Sequence, residues 1–128
     1  MNSLAMLVSA GLLLGGCVGY NVRTDGTTRA RIGQTVRISN FQLTPLEVLE
    51  DSRCPANVQC VWAGRLRIKA RMDVGTTTSE QELVLGQDVP AGRGTLQLVE
   101  ARPHPDQGRT IYPEDYRFGF TYQTRKAN

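Results

Sequence analysis

The sequence predicts an all-β fold, an antiparallel β-sandwich of immunoglobulin-like or small-barrel type with about six or seven strands. Apolar and polar residues alternate with period two along residues 62–74 and again along residues 116–123. This period is typical of strands with one face buried and one face in water. No window of helical length carries an apolar stripe, so the pattern favours a sandwich or barrel over any helical fold class.

Shorter apolar runs predict the remaining strands. They lie at residues 35–38, 41–49, 82–85 and 95–99, with turn residues such as Gly75 between the segments. Runs of this length, bounded by Gly, Ser and Asn, are typical of an all-β domain.

The two halves of the chain carry a weak internal repeat. Residues 33–36, G-Q-T-V, precede F-Q-L at 41–43, and residues 86–89, G-Q-D-V, precede L-Q-L at 96–98. The repeat predicts two similar strand pairs, although the alternation of any β protein produces such echoes by chance.

Residues 113–118, P-E-D-Y-R-F, resemble the tyrosine corner of immunoglobulin-like and fibronectin type III sandwiches. In that motif a tyrosine hydroxyl bonds back to the backbone. The resemblance therefore implies this role for the hydroxyl of Tyr116.

Residues 1–16 predict an export signal. Residues 4–14 form an apolar stretch broken only by Ser9 and Gly11, and small residues follow it, which is the layout of a secretory signal. The stretch is shorter than the about 20 apolar residues needed to span a bilayer. A helix retained in the core is the alternative.

Leu14-Gly15-Gly16-Cys17 closes this stretch and resembles the lipobox of bacterial lipoproteins. The resemblance implies cleavage before Cys17 and acylation of this cysteine, which would anchor the protein stably because two or more acyl chains suffice. Val18 after the cysteine implies the outer membrane, facing the periplasm. We therefore expect a signal peptide at 1–16, a lipidated tether at 17–30 and one sandwich domain at 31–128.

The most distinctive segment is residues 50–64, E-D-S-R-C-P-A-N-V-Q-C-V-W-A-G. Its D-S-R-C-P and C-V-W-A-G parts are similar to a signature of small uncharacterised bacterial secreted proteins and lipoproteins. Flanking pieces extend the resemblance over most of residues 33–122. That family implies no particular activity.

Cys54 and Cys60 enclose a short loop in a domain that we expect to be exported, where cysteine pairs oxidise. Because Cys17 is assigned to lipid, the remaining count is even and predicts a structural disulfide. A redox pair or a metal site is the alternative, but C-x-x-C spacing is absent and His104 is the single histidine. We expect no metal and no cofactor. Trp62 is predicted to pack in the core beside the disulfide, with an exposed binding platform as the alternative.

The same loop carries candidate binding residues. Asp51 and Arg53 either pair with each other and bond the loop backbone, or form a charged recognition surface together with Asn57. A loop closed by a disulfide is pre-organised, and binding residues concentrate on such loops.

A basic ladder is the second candidate surface. It consists of Arg65, Arg67, Lys69 and Arg71. Alternate residues of a strand lie about 6.6 Å apart on one face, so the ladder suits an anionic surface such as lipid headgroups. The alternative is a solvated face that pairs with Glu80 and Glu82 on the next strand.

Catalysis is not expected, because His104 lies between two prolines without a recognisable nucleophile motif. The formal net charge of +3 gives no reason to expect nucleic acid. We predict a lipid-anchored cell-envelope binding or interaction module, with the membrane and an envelope protein or anionic surface as partners. The alternative is an inhibitor of an envelope hydrolase, by analogy with the small β lipoproteins that inhibit lysozyme.

Overall fold

The computed structural model describes residues 26–126, which contain eight strands. The strands are β1 (Thr28–Ala30), β2 (Val36–Ile38), β3 (Phe41–Asp51), β4 (Leu66–Val74), β5 (Thr77–Val84), β6 (Asp88–Ala91), β7 (Gly94–Arg102) and β8 (Arg117–Thr124). A 3-10 helix at Pro113–Asp115 precedes β8. The predicted signal peptide and the acylated Cys17 lie outside the described residues. In residues 26–126 no helix is long and apolar enough to cross a membrane.

The strands form two antiparallel four-stranded sheets, in the orders β2-β3-β4-β5 and β1-β8-β7-β6. This arrangement confirms the all-β sandwich. Residues 26–126 contain eight strands where about six or seven were predicted, because β1 was not recognised and β6 was indicated only by the internal repeat. Both are edge strands of three or four residues, which are too short to show an alternating pattern.

A single apolar core fills the space between the two sheets. The alternation of β4 directs Leu66, Ile68 and Ala70 inward, and each is fully buried. From the opposite sheet, β8 contributes Phe118 and Phe120, which are also fully buried. Burying a side chain of the Leu, Ile or Phe type contributes about 1.5–3 kcal/mol, so these two strands supply much of the driving force for folding.

Strand β1 lies at the end of residues 17–30, which were predicted to form the tether. Thr28 pairs with Phe120 and Ala30 with Phe118. Residues 18–29 lack apolar periodicity, but a three-residue edge strand needs only one inward side chain, and Ala30 provides it. Thr28–Ala30 are therefore part of the sandwich.

The internal repeat of the sequence corresponds to two equivalent hairpins. Val36 pairs with Leu43 in the hairpin β2–β3, and Val89 pairs with Leu96 in the hairpin β6–β7. The structural counterpart of Leu96 is thus Leu43 rather than Phe41. A glycine of positive φ precedes each hairpin, Gly33 before β2 and Gly86 before β6. Glycine adopts this conformation without steric cost.

The equivalence extends to the backbone bonds around the hairpins. The N–H of Gly33 donates to Pro45 O at 2.7 Å, and the N–H of Gly86 donates to Leu98 O at 2.9 Å. A bulge interrupts the pairing directly after Pro45 and directly after Leu98. Strands β1–β4 and β5–β8 are therefore two copies of one unit, and the first strand of each copy pairs with the last strand of the other.

The two copies place equivalent connections at the same end of the sandwich. We name the β3–β4 connection, residues 52–65, the disulfide loop and the β7–β8 connection, residues 103–116, the proline loop. The N–H of Ala56 donates to Pro105 O at 3.1 Å, and the N–H of Gln107 donates to Asn57 Oδ1 at 3.2 Å. The two loops therefore form one continuous surface at this end.

Candidate functional site

The disulfide loop is closed by a bond between Cys54 and Cys60, whose Cα atoms lie 5.9 Å apart. This bond confirms the structural disulfide predicted from the sequence. The ring is small, so the segment between the cysteines has few conformations open to it.

Asp51 and Arg53 form a buried, bidentate ion pair beneath the disulfide loop. Nε of Arg53 lies 2.8 Å from Oδ1 of Asp51 and Nη2 lies 2.9 Å from Oδ2. The side chain of Arg53 is only 8% exposed and that of Asp51 only 12%. This geometry favours the alternative in which the two charges pair with each other, and it removes them from any charged recognition surface.

Arg53 also fastens the disulfide loop to the opposite sheet. Its Nη1 donates to Ala101 O at 2.7 Å and its Nη2 donates to Pro103 O at 3.1 Å. Because a guanidinium has five donors in a fixed plane, one side chain can satisfy a carboxylate and two carbonyls together. Arg53 therefore fixes how the two loops sit relative to each other.

Tyr116 completes this network from the start of β8. Its hydroxyl donates to Oδ2 of Asp51 at 2.8 Å, and its ring stacks on Phe118 with centroids 5.5 Å apart. The expected tyrosine corner therefore differs in its acceptor, which is a carboxylate and not a backbone carbonyl. The acceptor lies 65 positions away in the sequence.

The network shifts the pKa values of Asp51 and Tyr116. Burial raises the pKa of Asp51, but the hydrogen bonds from Arg53 and Tyr116 together outweigh it and hold that pKa below its ordinary value. Burial and the hydrogen bond to Asp51 raise the pKa of Tyr116 to about 12. Both shifts keep the carboxylate charged and the phenol neutral at physiological pH.

Ser52 and Gly64 close the neck of the disulfide loop. The N–H of Ser52 donates to Arg65 O at 2.9 Å, and the N–H of Arg65 donates to the Ser52 hydroxyl at 3.0 Å. A Cβ on Gly64 would collide with the carbonyl of Ser52. Only glycine permits this close approach, which explains the last position of the C-V-W-A-G segment.

Val61 and Trp62 project from the loop into water, with 93% and 73% of their surfaces exposed. The prediction that Trp62 packs in the core is therefore wrong. Strand β4 begins at Leu66, and the disulfide at Cys60 and the neck at Gly64 hold the intervening residues outside the sheet. The exposed platform, the alternative considered for Trp62, agrees with the structure.

Of the three candidate binding residues Asp51, Arg53 and Asn57, only Asn57 is exposed at the surface. Its side chain is exposed, and its Oδ1 accepts the bond from Gln107 already described. Its amide nitrogen has no acceptor among the described residues. Asn57 therefore links the two loops and still presents donors to solvent.

The basic ladder is matched by carboxylates on both sides. Arg65 and Arg67 lie 2.9 Å and 2.7 Å from Oε2 of Glu50, and Arg67 also lies 2.7 Å from Glu82. Lys69 lies 3.0 Å from Glu47. The last member, Arg71, lies 3.6 Å from Asp73.

These ion pairs favour the solvated, paired face over a free basic surface. The hydrogen bond from Arg67 holds the pKa of Glu50 below its ordinary value. The expected partner Glu82 is present, whereas Glu47 and Glu50 of β3 were missed. The cross-strand register that places them opposite the ladder depends on two bulges in β3, which the sequence pattern does not reveal.

His104 lines an open cleft of about 540 Å³ on the proline loop. Arg109, Thr110 and Arg117 line the same cleft. Within residues 26–126, no group of three or more His, Cys, Asp or Glu side chains could hold a metal ion. No side chain of the described chain hydrogen-bonds to the imidazole.

We compared the chain with protein-family models, with curated proteins and with solved structures, and none of the three gave a significant match.

Proposed function

We propose that this protein is a lipid-anchored interaction module of the cell envelope, and that it binds a protein partner through Val61 and Trp62 of the disulfide loop. The anchor is the acylated Cys17, and the proposed location is the outer membrane, facing the periplasm. No catalytic step is part of this function.

The observation that carries the proposal is that some residues of 50–64 stabilise the loop, whereas others are exposed and free to contact a partner. Asp51 and Arg53 are buried in the ion pair, the two cysteines form the disulfide, and Gly64 fits against Ser52. Each of these residues holds the loop in shape. Among the large apolar side chains of the segment, Val61 and Trp62 are the most exposed, at 93% and 73%, against 37% for Val58.

The adjacent, exposed side chains of Val61 and Trp62, on a loop closed by a disulfide, offer an apolar contact surface to a partner. Trp is enriched among the residues that dominate the energy of protein interfaces. The disulfide and the Arg53 bonds order the loop in advance, so binding would not have to order it. A protein partner is favoured over an anionic surface because the ladder is already paired.

The test is capture of envelope proteins by the full chain, purified in a neutral detergent after cross-linking in cells. Trp62→Ser and Val61→Thr should each reduce the captured partner by about tenfold or more, the loss typical of an interface hot spot. Val99→Thr is the matched control, because Val99 is an exposed valine on β7, 39% accessible. Equal capture by the Trp62→Ser variant and the unchanged protein would refute the proposal.

The anchor has a separate test. Mass spectrometry of the membrane-extracted protein should find an N-terminal acylated cysteine, and Cys17→Ser should release the protein from the membrane fraction. Protein that starts at an unmodified Met1 would contradict lipidation. The alternative function, inhibition of an envelope hydrolase, predicts that a captured partner has peptidoglycan-hydrolase activity that the added full chain suppresses.

A further inference from the structure

The cleft of the proline loop has an unbalanced positive charge. Its polar lining consists of Arg102, His104, Arg109, Thr110, Asp115 and Arg117. Three guanidinium groups thus face a cleft with one carboxylate. Its volume of about 540 Å³ lies within the range of about 300–1,000 Å³ that is usual for small-molecule sites.

The single carboxylate, Asp115, forms no ion pair with these arginines in residues 26–126. The Oδ2 of Asp115 accepts a bond from the N–H of Tyr112 at 3.0 Å. Arg102 is paired with Glu100 at 2.8 Å, and that carboxylate is shared with Arg29 at 3.0 Å. No ion pair found in residues 26–126 includes Arg109 or Arg117. This contrasts with the ladder, where every cation lies within 4 Å of a carboxylate.

Arg117 is held in place without losing its charge. Its Nη1 donates to Glu114 O and to Tyr116 O, both at 2.9 Å. These neutral carbonyls orient the guanidinium, and its other N–H groups have no acceptor in the described part of the chain. An oriented guanidinium with free donors is suited to bidentate recognition of a phosphate or carboxylate.

The rest of the lining suits an organic body attached to that anion. Pro103 and Ile111 are apolar and half-buried, and the Thr110 hydroxyl and the His104 ring add polar groups without a partner in residues 26–126. Apolar walls with a few convergent polar groups are the usual composition of a small-molecule site.

We propose that this cleft binds a small organic molecule that carries a phosphate or carboxylate group, with Arg109 and Arg117 contacting the anion. The lining of the proposed site does not include Val61 or Trp62. Binding at this site is therefore independent of the proposed interaction with a protein partner.

The experiment is calorimetric titration of the full chain, in a neutral detergent at low salt, with three probes. Glucose 1-phosphate tests the phosphate, glucuronic acid tests the carboxylate, and glucose is the uncharged control. We expect binding of at least one anionic probe and none of glucose. The anionic probe that binds more tightly identifies the source of the charge.

Variants then locate the site. Arg109→Gln should weaken binding by about tenfold, and Arg109→Lys should weaken it less because the charge is kept. Arg93→Gln is the matched control, since it removes the same charge from an exposed turn before β7, at the other end of that strand from the cleft. Arg109 is itself exposed, so its variants should fold, which circular dichroism would verify.

Three outcomes would overturn the proposal. They are absence of binding for both anionic probes at millimolar concentration, equal binding of glucose, and equal weakening by Arg93→Gln and Arg109→Gln. The last of these would show a general charge effect rather than a site.

Discussion

The hydroxyl of Tyr116 donates a 2.8 Å hydrogen bond to Oδ2 of Asp51 and so joins the start of β8 to the end of β3. The same carboxylate is held by Arg53, which also bonds carbonyls at the end of β7. One buried carboxylate therefore links both sheets at the end that carries the two loops. Buried networks of this kind are stabilising when every member is satisfied.

Tyr116→Phe should lower the free energy of unfolding by about 1.5–3 kcal/mol, because it removes a hydrogen bond to a charged acceptor. The ring and its stack on Phe118 remain. Tyr122→Phe is the matched control, since the Tyr122 hydroxyl donates to the neutral Ala91 O at 3.0 Å and should contribute about 1 kcal/mol. Urea unfolding at pH 7 measures both, and equal losses would contradict the expectation.

Stability should also fall at alkaline pH through Tyr116. Its folded pKa of about 12 lies above the unfolded value of about 10. A raised pKa contributes stability that is complete below pH 10 and is lost as the pH rises to about 12. Absorbance titration of tyrosinate should lose a transition near pH 12 in Tyr116→Phe. Loss of a transition near pH 10 instead would show that the buried phenol is not perturbed.

Arg53→Met should destabilise the fold by about 3–5 kcal/mol, since it leaves the Asp51 carboxylate buried without its cation. Lys69→Met breaks a solvent-exposed pair with Glu47 and should cost about 0–1 kcal/mol. Thermal unfolding of the two variants under the same conditions gives the comparison. A similar midpoint for both would mean that the buried pair contributes no more than a surface pair.

Trp62 is the one tryptophan of the chain, so fluorescence reports on it alone. The folded protein should show the emission of a hydrated indole and should be quenched by acrylamide almost as strongly as the urea-unfolded chain. Trp62→Ala should change the free energy of unfolding by about 0.5 kcal/mol or less, whereas Ile68→Ala should cost about 2–5 kcal/mol. Blue-shifted, protected emission in the folded state would place the ring in an apolar environment and contradict the exposure.

Replacing Cys54 and Cys60 together by alanine should lower the free energy of unfolding by about 2 kcal/mol, the entropy contribution of so short a loop. The fold should survive, because Arg53 and the Ser52–Gly64 neck hold the loop independently. Thiol titration of the unreduced, denatured protein checks the premise. Two reactive thiols from this pair would show that the bond is absent.

The sequence predicted the long strands well because their periodicity is a direct result of one-sided burial. In β4 and β8 every second residue is apolar, and the inward faces agree with the prediction. The disulfide was also predictable, since the expected export and the even cysteine count are properties of the sequence alone.

The arrangement at the loop end was not predictable in the same way. Trp62 and Gly64 continue the alternation of β4 by coincidence, and no local signal shows that Gly64 lies against Ser52. The acceptors of Arg53 on Ala101 and Pro103 are distant in sequence. These contacts exist only because the two copies of the unit bring their equivalent connections together, a relationship that the weak repeat indicated but did not specify.

The direction of β1 has a consequence for how the molecule would stand on a membrane. Going from Thr28 to Ala30, the strand runs toward the loop end, because its partners run from Phe120 to Phe118, next to the proline loop. The chain therefore enters the sandwich from the far end. If Cys17 carries the proposed anchor, the chain that leads from it joins the sandwich at Thr28, and Trp62 lies on the loops at the end toward which β1 runs.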